Sequence, residues 1–205
     1  MTVGLDSYAS ALFPSFKNQY LAYYAVSGNE YSGLYSKAYF CDLSISDLSK
    51  GCFQVSKDDE IARYPVVKSK SIVYYAVDLP DTDTTDKKHP EAIIEADVSD
   101  PLHIKYKEIL RSDDIMTPDS ITDEFLLYRK MYGFTDGGRN NLGICFYRFK
   151  DQKSFCMKDG TDADVSEYFA RMWNHYLVFQ SFDDLIVRDM DGYCKENPTN
   201  CPFDK

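Results

Sequence analysis

The residues able to do acid–base, thiol or metal chemistry in this chain are few and scattered. Histidines stand only at His89, His103 and His175, and no two of them have the spacing of a metal-binding pair. His175, beside Asn174, reads as a structural or interface residue rather than a base. Cys145 or Cys156 with His175 and Asp183 would supply the parts of a thiol triad, but no spacing joins them into one. Asp81, Asp83 and Asp86 lie in an acidic stretch that lacks the glycine and distal glutamate of a calcium loop. Gly133, Gly137, Gly138 and Gly143 lack the Gly-Lys-Ser/Thr ending of a phosphate loop and read as turn glycines. The adjacent acids Asp113-Asp114 and Asp183-Asp184 fit solvated turns. The expectation is a protein that is not an enzyme and holds no catalytic or metal site.

The elements that would position any site come next. Val165, Phe169, Met172, Trp173, Tyr176 and Phe179 recur at steps of three and four, the spacing of one helix face. This predicts a long amphipathic helix over 164–188, capped by Thr161, Asp162 or Asp164, with Glu167 in its first turn and Gly192 as its stop. A second helix is expected from Thr117 to Met131, with Thr117 as cap, Pro118 at the first helical position and Gly133 past the end. Shorter helical pieces are expected at 8–16, ended by Pro14, and at 44–50.

Strands are expected at 20–27, 34–41, 52–56, 71–79, 92–98, 102–110 and 142–149. The run Ser-Ile-Val-Tyr-Tyr-Ala-Val-Asp-Leu at 71–79 is the strongest, because β-branched and aromatic residues follow one another. Residues 80–90 read as a loop. The fold class that follows is α+β: a mostly antiparallel, β-sandwich-like sheet with a short N-terminal helix, a middle helix and a long C-terminal amphipathic helix. One domain over 1–205 is expected, with no internal repeat and no boundary.

Composition narrows the partners. A formal charge of -10, spread along the chain, repels DNA and anionic lipid, so neither nucleic acid nor membrane is an expected partner. No secretory signal is visible in the first ten residues, so cytosolic residence and reduced thiols are expected for the six cysteines. Cys194 and Cys201, flanking Asn197-Pro198, would bridge in an oxidising setting and stay free in a reducing one. The most informative count is 17 Tyr in 205 residues. Tyr brings broad contact area and a hydroxyl, which interfaces select.

The layout resembles that of the cypovirus polyhedrins. The resemblance rests on an N-terminal helical piece, a Tyr-rich strand with Tyr23 and Tyr24, a β-rich middle with Ile72 to Val77, and a late helix carrying Trp173-Asn174-His175-Tyr176. It implies a structural protein that self-assembles as homotrimers into the crystalline matrix of viral occlusion bodies in the cytoplasm of the infected cell. Virus particles would be its cargo, both chain ends would be packed, and some members bind a nucleotide. Such a matrix is stable at neutral pH and dissolves in alkali, for which phenol ionisation near pH 10 offers a trigger. The lattice or pH-switch candidates are Tyr20, Tyr23, Tyr24, Tyr31, Tyr35, Tyr39 and Tyr176. The competing expectation is an acidic interaction protein, an inhibitor or immunity factor, that binds a basic protein partner.

Overall fold

A computed structural model of the chain describes residues 10–26, 36–80, 90–132, 141–157, 167–181, 184–199 and 201–203. Strands dominate them. They are β1 (Ser10–Lys17), β2 (Tyr20–Val26), β3 (Ser36–Asp42), β4 (Cys52–Gln54), β5 (Ala62–Val67), β6 (Ile72–Asp78), β7 (Glu91–Asp97) and β8 (Lys105–Ser112), then β9 (Met116–Ile121), β10 (Phe125–Tyr132), β11 (Asn141–Arg148), β12 (Lys153–Cys156), β13 (Glu167–Trp173), β14 (Tyr176–Ser181) and β15 (Asp184–Asp189). Among the described residues helix is confined to α1 (Leu48–Gly51) and α2 (Met190–Glu196). The strands form three four-stranded antiparallel meanders, β1-β2-β3-β4, β5-β6-β7-β8 and β9-β10-β11-β12, and one three-stranded sheet, β13-β14-β15. Contacts divide the chain into two compact units, the first carrying β1 to β8 and the second β9 to α2.

The first unit buries Ala22, Ala38, Phe40, Val55, Val67, Val73, Tyr75 and Ile94 in one core. Its β6 is buried on both faces, as a continuous apolar run requires. The two tyrosines of β6 keep their hydroxyls partnered: Tyr75 donates to Glu60 Oε2 at 2.9 Å and Tyr74 to Glu95. The second unit gathers Phe125, Leu127, Ile144, Phe146, Leu177, Phe179, Met190 and Tyr193. Each such side chain contributes about 1.5–3 kcal/mol by leaving water.

The α+β, sandwich-like expectation is corrected at all three major helices. The stretch read as a long C-terminal helix is the meander β13-β14-β15, with Asn174 at φ 53 in the two-residue turn between Trp173 and Tyr176. Positive φ at that position suits a tight hairpin, and Asn tolerates it. A bulge between Tyr168 and Arg171 and the turn at 174–175 each break the two-residue alternation, and the broken alternation imitates steps of three and four. Residues 117–131 are the hairpin β9-β10, closed by Thr122, whose Oγ1 accepts from Phe125 N at 2.9 Å. Pro118 therefore sits in a strand. Residues 10–16 belong to β1, and only α1, capped by Asp47, overlaps an expected helix, the short one at 44–50. Gly51 ends α1 where a Cβ would meet the Asp42 carbonyl oxygen at 2.8 Å, so the close approach requires glycine.

An internal repeat, not expected from the sequence, organises the two units. Pro14 and Pro118, Tyr24 and Tyr128, Cys41 and Cys145, and Cys52 and Cys156 are each 104 residues apart. Pro14 and Pro118 lie in the edge strands β1 and β9, which pair with β2 and β10 across bulged registers. Proline cannot donate to a ladder, so edges and bulges are where a sheet tolerates it. The bulge of β5 contains Tyr64 at φ 52 and that of β13 contains Phe169 at φ 56. The order β9 to β15 thus follows the order β1 to β7.

The thiol expectation is also corrected. Cys41–Cys52, Cys145–Cys156 and Cys194–Cys201 are disulfides, and no free cysteine remains. The first two join residues directly opposite each other on paired strands, and each spans 11 residues of chain. Such a link removes loop freedom from the unfolded chain, worth about 3 kcal/mol for a loop of this size. Cys41→Ala/Cys52→Ala should therefore lower the urea-unfolding stability of the first unit by roughly 2–3 kcal/mol, with the far-ultraviolet circular dichroism of the folded protein unchanged.

Candidate functional site

The sheet β13-β14-β15 has one face inside the second unit and one outside. Met172 opposite Leu177, and Phe179 opposite Ile186, point into the core. Cross-strand partners share a face, so the neighbouring pairs Trp173–Tyr176, Val178–Val187 and Gln180–Leu185 share the other. That face is apolar and open. Trp173 is 70% exposed, Leu185 72%, Val187 61% and Tyr176 44%. Isolated exposed apolar side chains need no explanation, whereas a contiguous set on one sheet face marks an interaction surface.

The rim of this face is acidic. Asp189, paired with Tyr176 on this face, is the exposed end of β15, and Asp191 follows in α2, while Asp184, exposed at the other end, takes the register of Ile186 on the opposite face. His175 in the hairpin turn holds Asp191 through Nδ1 at 2.9 Å and lies against the Phe203 ring at 5.5 Å. Arg171, the cation of the face, is engaged with backbone, donating to Ala170 O at 3.0 Å and to Asp119 O. The arrangement suits an apolar contact surrounded by positive charge from a partner.

A buried ion pair supports the sheet from beneath. Asp119, the extra residue in the β9 bulge, accepts from Arg129 Nε at 2.7 Å and from Ala170 N at 3.3 Å, tying β9 to β13. Burial pushes its carboxyl above the usual range, against the opposing pull of Arg129. Arg129 also lies 5.7 Å from the Phe169 ring, so the positive-φ residue of β13 covers the pair.

The candidates from the sequence are distributed as follows. Tyr23 is buried and stacked on Tyr39 at 5.4 Å, and Tyr24 is buried between Phe13 and Tyr64. Burial raises the pKa of both phenols, with Tyr39 adding to the shift of Tyr23 and Tyr64 to that of Tyr24. Tyr20 stacks on Phe40 at the edge of the first core. Tyr31 and Tyr35 lie outside the described residues, as do Asp81, Asp83, Asp86, Asp183 and both chain ends. Among the described members of the set, Tyr176 alone is on the exposed face. The thiol triad is overturned, since Cys145 and Cys156 are bonded to each other. Among the described residues no cluster of His, Cys, Asp or Glu has the arrangement to hold a metal ion.

Leu185 and Val187 were missed because a helical reading put their stretch on one continuous face. Their signal is the alternation in Asp184-Leu185-Ile186-Val187-Arg188-Asp189, which is strand-like once Asn174-His175 is taken as a turn. No protein-family model matches the chain, and no curated protein matches it.

Proposed function

We propose that the protein is an acidic interaction module that docks on a basic protein partner through the outer face of β13-β14-β15, and that it works in an oxidising compartment. The observation that carries the reading is the exposed set Trp173, Tyr176, Leu185 and Val187 bordered by Asp189 and Asp191. Apolar contact supplies the affinity and the acids select the partner by charge. Three disulfides and no free thiol support the compartment. Among the described residues no helix is long and apolar enough to cross a membrane.

The crystalline-matrix expectation drew on a layout of helices that strands replace, and on a tyrosine group of which Tyr23 and Tyr24 are buried in their own unit. The interaction reading uses a surface that is open. Selecting a displayed peptide library on the immobilised protein tests it. Winners should combine Lys or Arg with aliphatic or aromatic residues, and their binding should fall at least tenfold on Trp173→Glu and on Leu185→Glu, both of which change exposed side chains. Winners of acidic character, or winners indifferent to these substitutions, overturn the reading. So does sedimentation showing that the face is already closed by dimers or trimers at micromolar protein.

A further inference from the structure

The internal repeat makes one position in the second unit conspicuous. β13, β14 and β15 follow the order of β5, β6 and β7, with matching bulges at Arg63/Val66 and Tyr168/Arg171. In the first unit β7 is paired on both sides, by β6 and by β8. In the second unit the chain after β15 turns into α2 and the Cys194–Cys201 loop, and no fourth strand joins the sheet among the described residues. One side of β15 therefore presents backbone N–H and C=O groups in the geometry of a strand template.

The other sheet edges are guarded. β1, β5 and β9 each carry a proline in a bulged pairing, and β13 is bulged as well. β4 has three residues and β12 four, while β8 exposes Lys105, Lys107 and Arg111. Charges, prolines, bulges and shortness are the devices that keep edges from pairing with foreign strands. β15 has six residues in unbroken register with β14, no proline, and apolar side chains at Leu185 and Val187; its charges, Asp184, Arg188 and Asp189, stand at its two ends.

Resting on the interaction reading above, we propose that β15 is the docking edge, and that an extended segment of the partner, alternating basic and apolar residues, adds to it as the fourth strand. The first unit shows the chemistry that fills such a position. β8 reads Lys-Tyr-Lys-Glu-Ile-Leu-Arg-Ser, and its Lys105 and Lys107 stand opposite Asp97 and Glu95 of β7. On β15 Asp184 takes one face and Leu185 and Val187 the other, so the edge asks for a basic residue opposite Asp184 and apolar residues opposite Leu185 and Val187. Backbone pairing gives the added strand its register, and alternate side chains extend the Trp173–Val187 face.

The probe is a synthetic peptide copying Lys105–Ser112, added to the full chain together with winners of the library selection. Binding should blue-shift the emission of Trp173, the chain's sole tryptophan, and slow the exchange of alternate β15 amides at least tenfold. A copy N-methylated at alternate backbone positions should lose the binding, and a Lys→Glu, Arg→Glu copy should bind at least tenfold more weakly. Winners that bind without protecting β15 keep the interaction reading and overturn strand addition. Amides on both sides of β15 already protected in the protein alone overturn it as well, because the edge is then filled. No binding by the copy or by any winner overturns both.

Discussion

Replacing Arg129 with methionine should cost the second unit about 3–5 kcal/mol, the usual penalty for stranding one member of a buried ion pair. Asp119 and Arg129 are 9% and 8% exposed, so water cannot replace the lost partner. The carboxylate that remains would keep one hydrogen bond, from Ala170 N, and lie beneath the Phe169 ring's former cation. Burial already raises its pKa, and removing Arg129 removes the largest of the attractions that oppose the rise, leaving the Ala170 N–H and the charge of Arg171. The sign of the pH dependence follows. A carboxyl whose folded pKa exceeds its unfolded one binds more protons folded than unfolded between the two values, so stability falls as pH rises through that window. Arg129→Met should thus be least damaging below about pH 4 and most damaging at neutral pH. Urea unfolding at both pH values measures it. Asp119→Asn/Arg129→Met, which leaves no buried charge, should recover at least half of the loss; a double variant as unstable as the single one sinks the account.

Because Asp119 ties β9 to β13, that loss should also reach the exposed face. Trp173 emission, a direct report on the face, should become more quenchable in Arg129→Met at urea concentrations below the main transition. The pair explains why a proline-bearing bulge is placed in β9. The bulge adds Asp119 as the residue that β10 does not need to pair, which frees its side chain to reach the neighbouring strand.

Much of the strand content could be read directly. β2, β3, β6, β7 and β11 fall within a residue or two of the runs of Tyr, Val, Ile and Phe that mark them. Thr117-Pro118 failed for a physical reason: a helix start and an edge-strand bulge both suit a proline without an N–H, and the choice is made by pairing with β10, which a local window does not contain. Spacing places Trp173 on the apolar face of a helix, and as a strand residue opposite Tyr176 it faces out. The disulfides were hidden because 11 residues of separation mean nothing until β3 and β4, or β11 and β12, are aligned as neighbours. The repeat was hidden likewise, since Pro14/Pro118 and Tyr24/Tyr128 are too sparse to stand out from a background of similar residues.

Alkali should unfold the individual molecule steeply from about pH 10 upward. Burial raises the pKa of Tyr75, with the Glu60 carboxylate adding to it, and burial raises that of Tyr128 against a hydrogen bond from Ser154. Tyr23, Tyr24 and Tyr106 shift the same way, again through burial first. Above the unfolded pKa the unfolded chain releases phenol protons that the folded chain keeps, so the unfolded state binds fewer protons and stability falls with pH. Each fully retained proton contributes a slope of about 1.4 kcal/mol per pH unit. Tyr75 alone gives up to about 1.4 kcal/mol per unit, Tyr128 adds in the same direction, and the partly solvated three add less than their share because water screens them. Over one to two pH units this removes a large share of a stability of about 5–15 kcal/mol, so the margin closes steeply. Phenolate absorbance followed with circular dichroism should show two phases, exposed rings such as Tyr176 first and the buried ones only as structure is lost. Tyr75→Phe should flatten the pH slope by about 1.4 kcal/mol per unit while lowering neutral stability through the lost bond to Glu60. Ionisation of every tyrosine at pH 10 with the strands intact would mean that these rings are not held in their cores, and the burial account of the alkaline limit would fall.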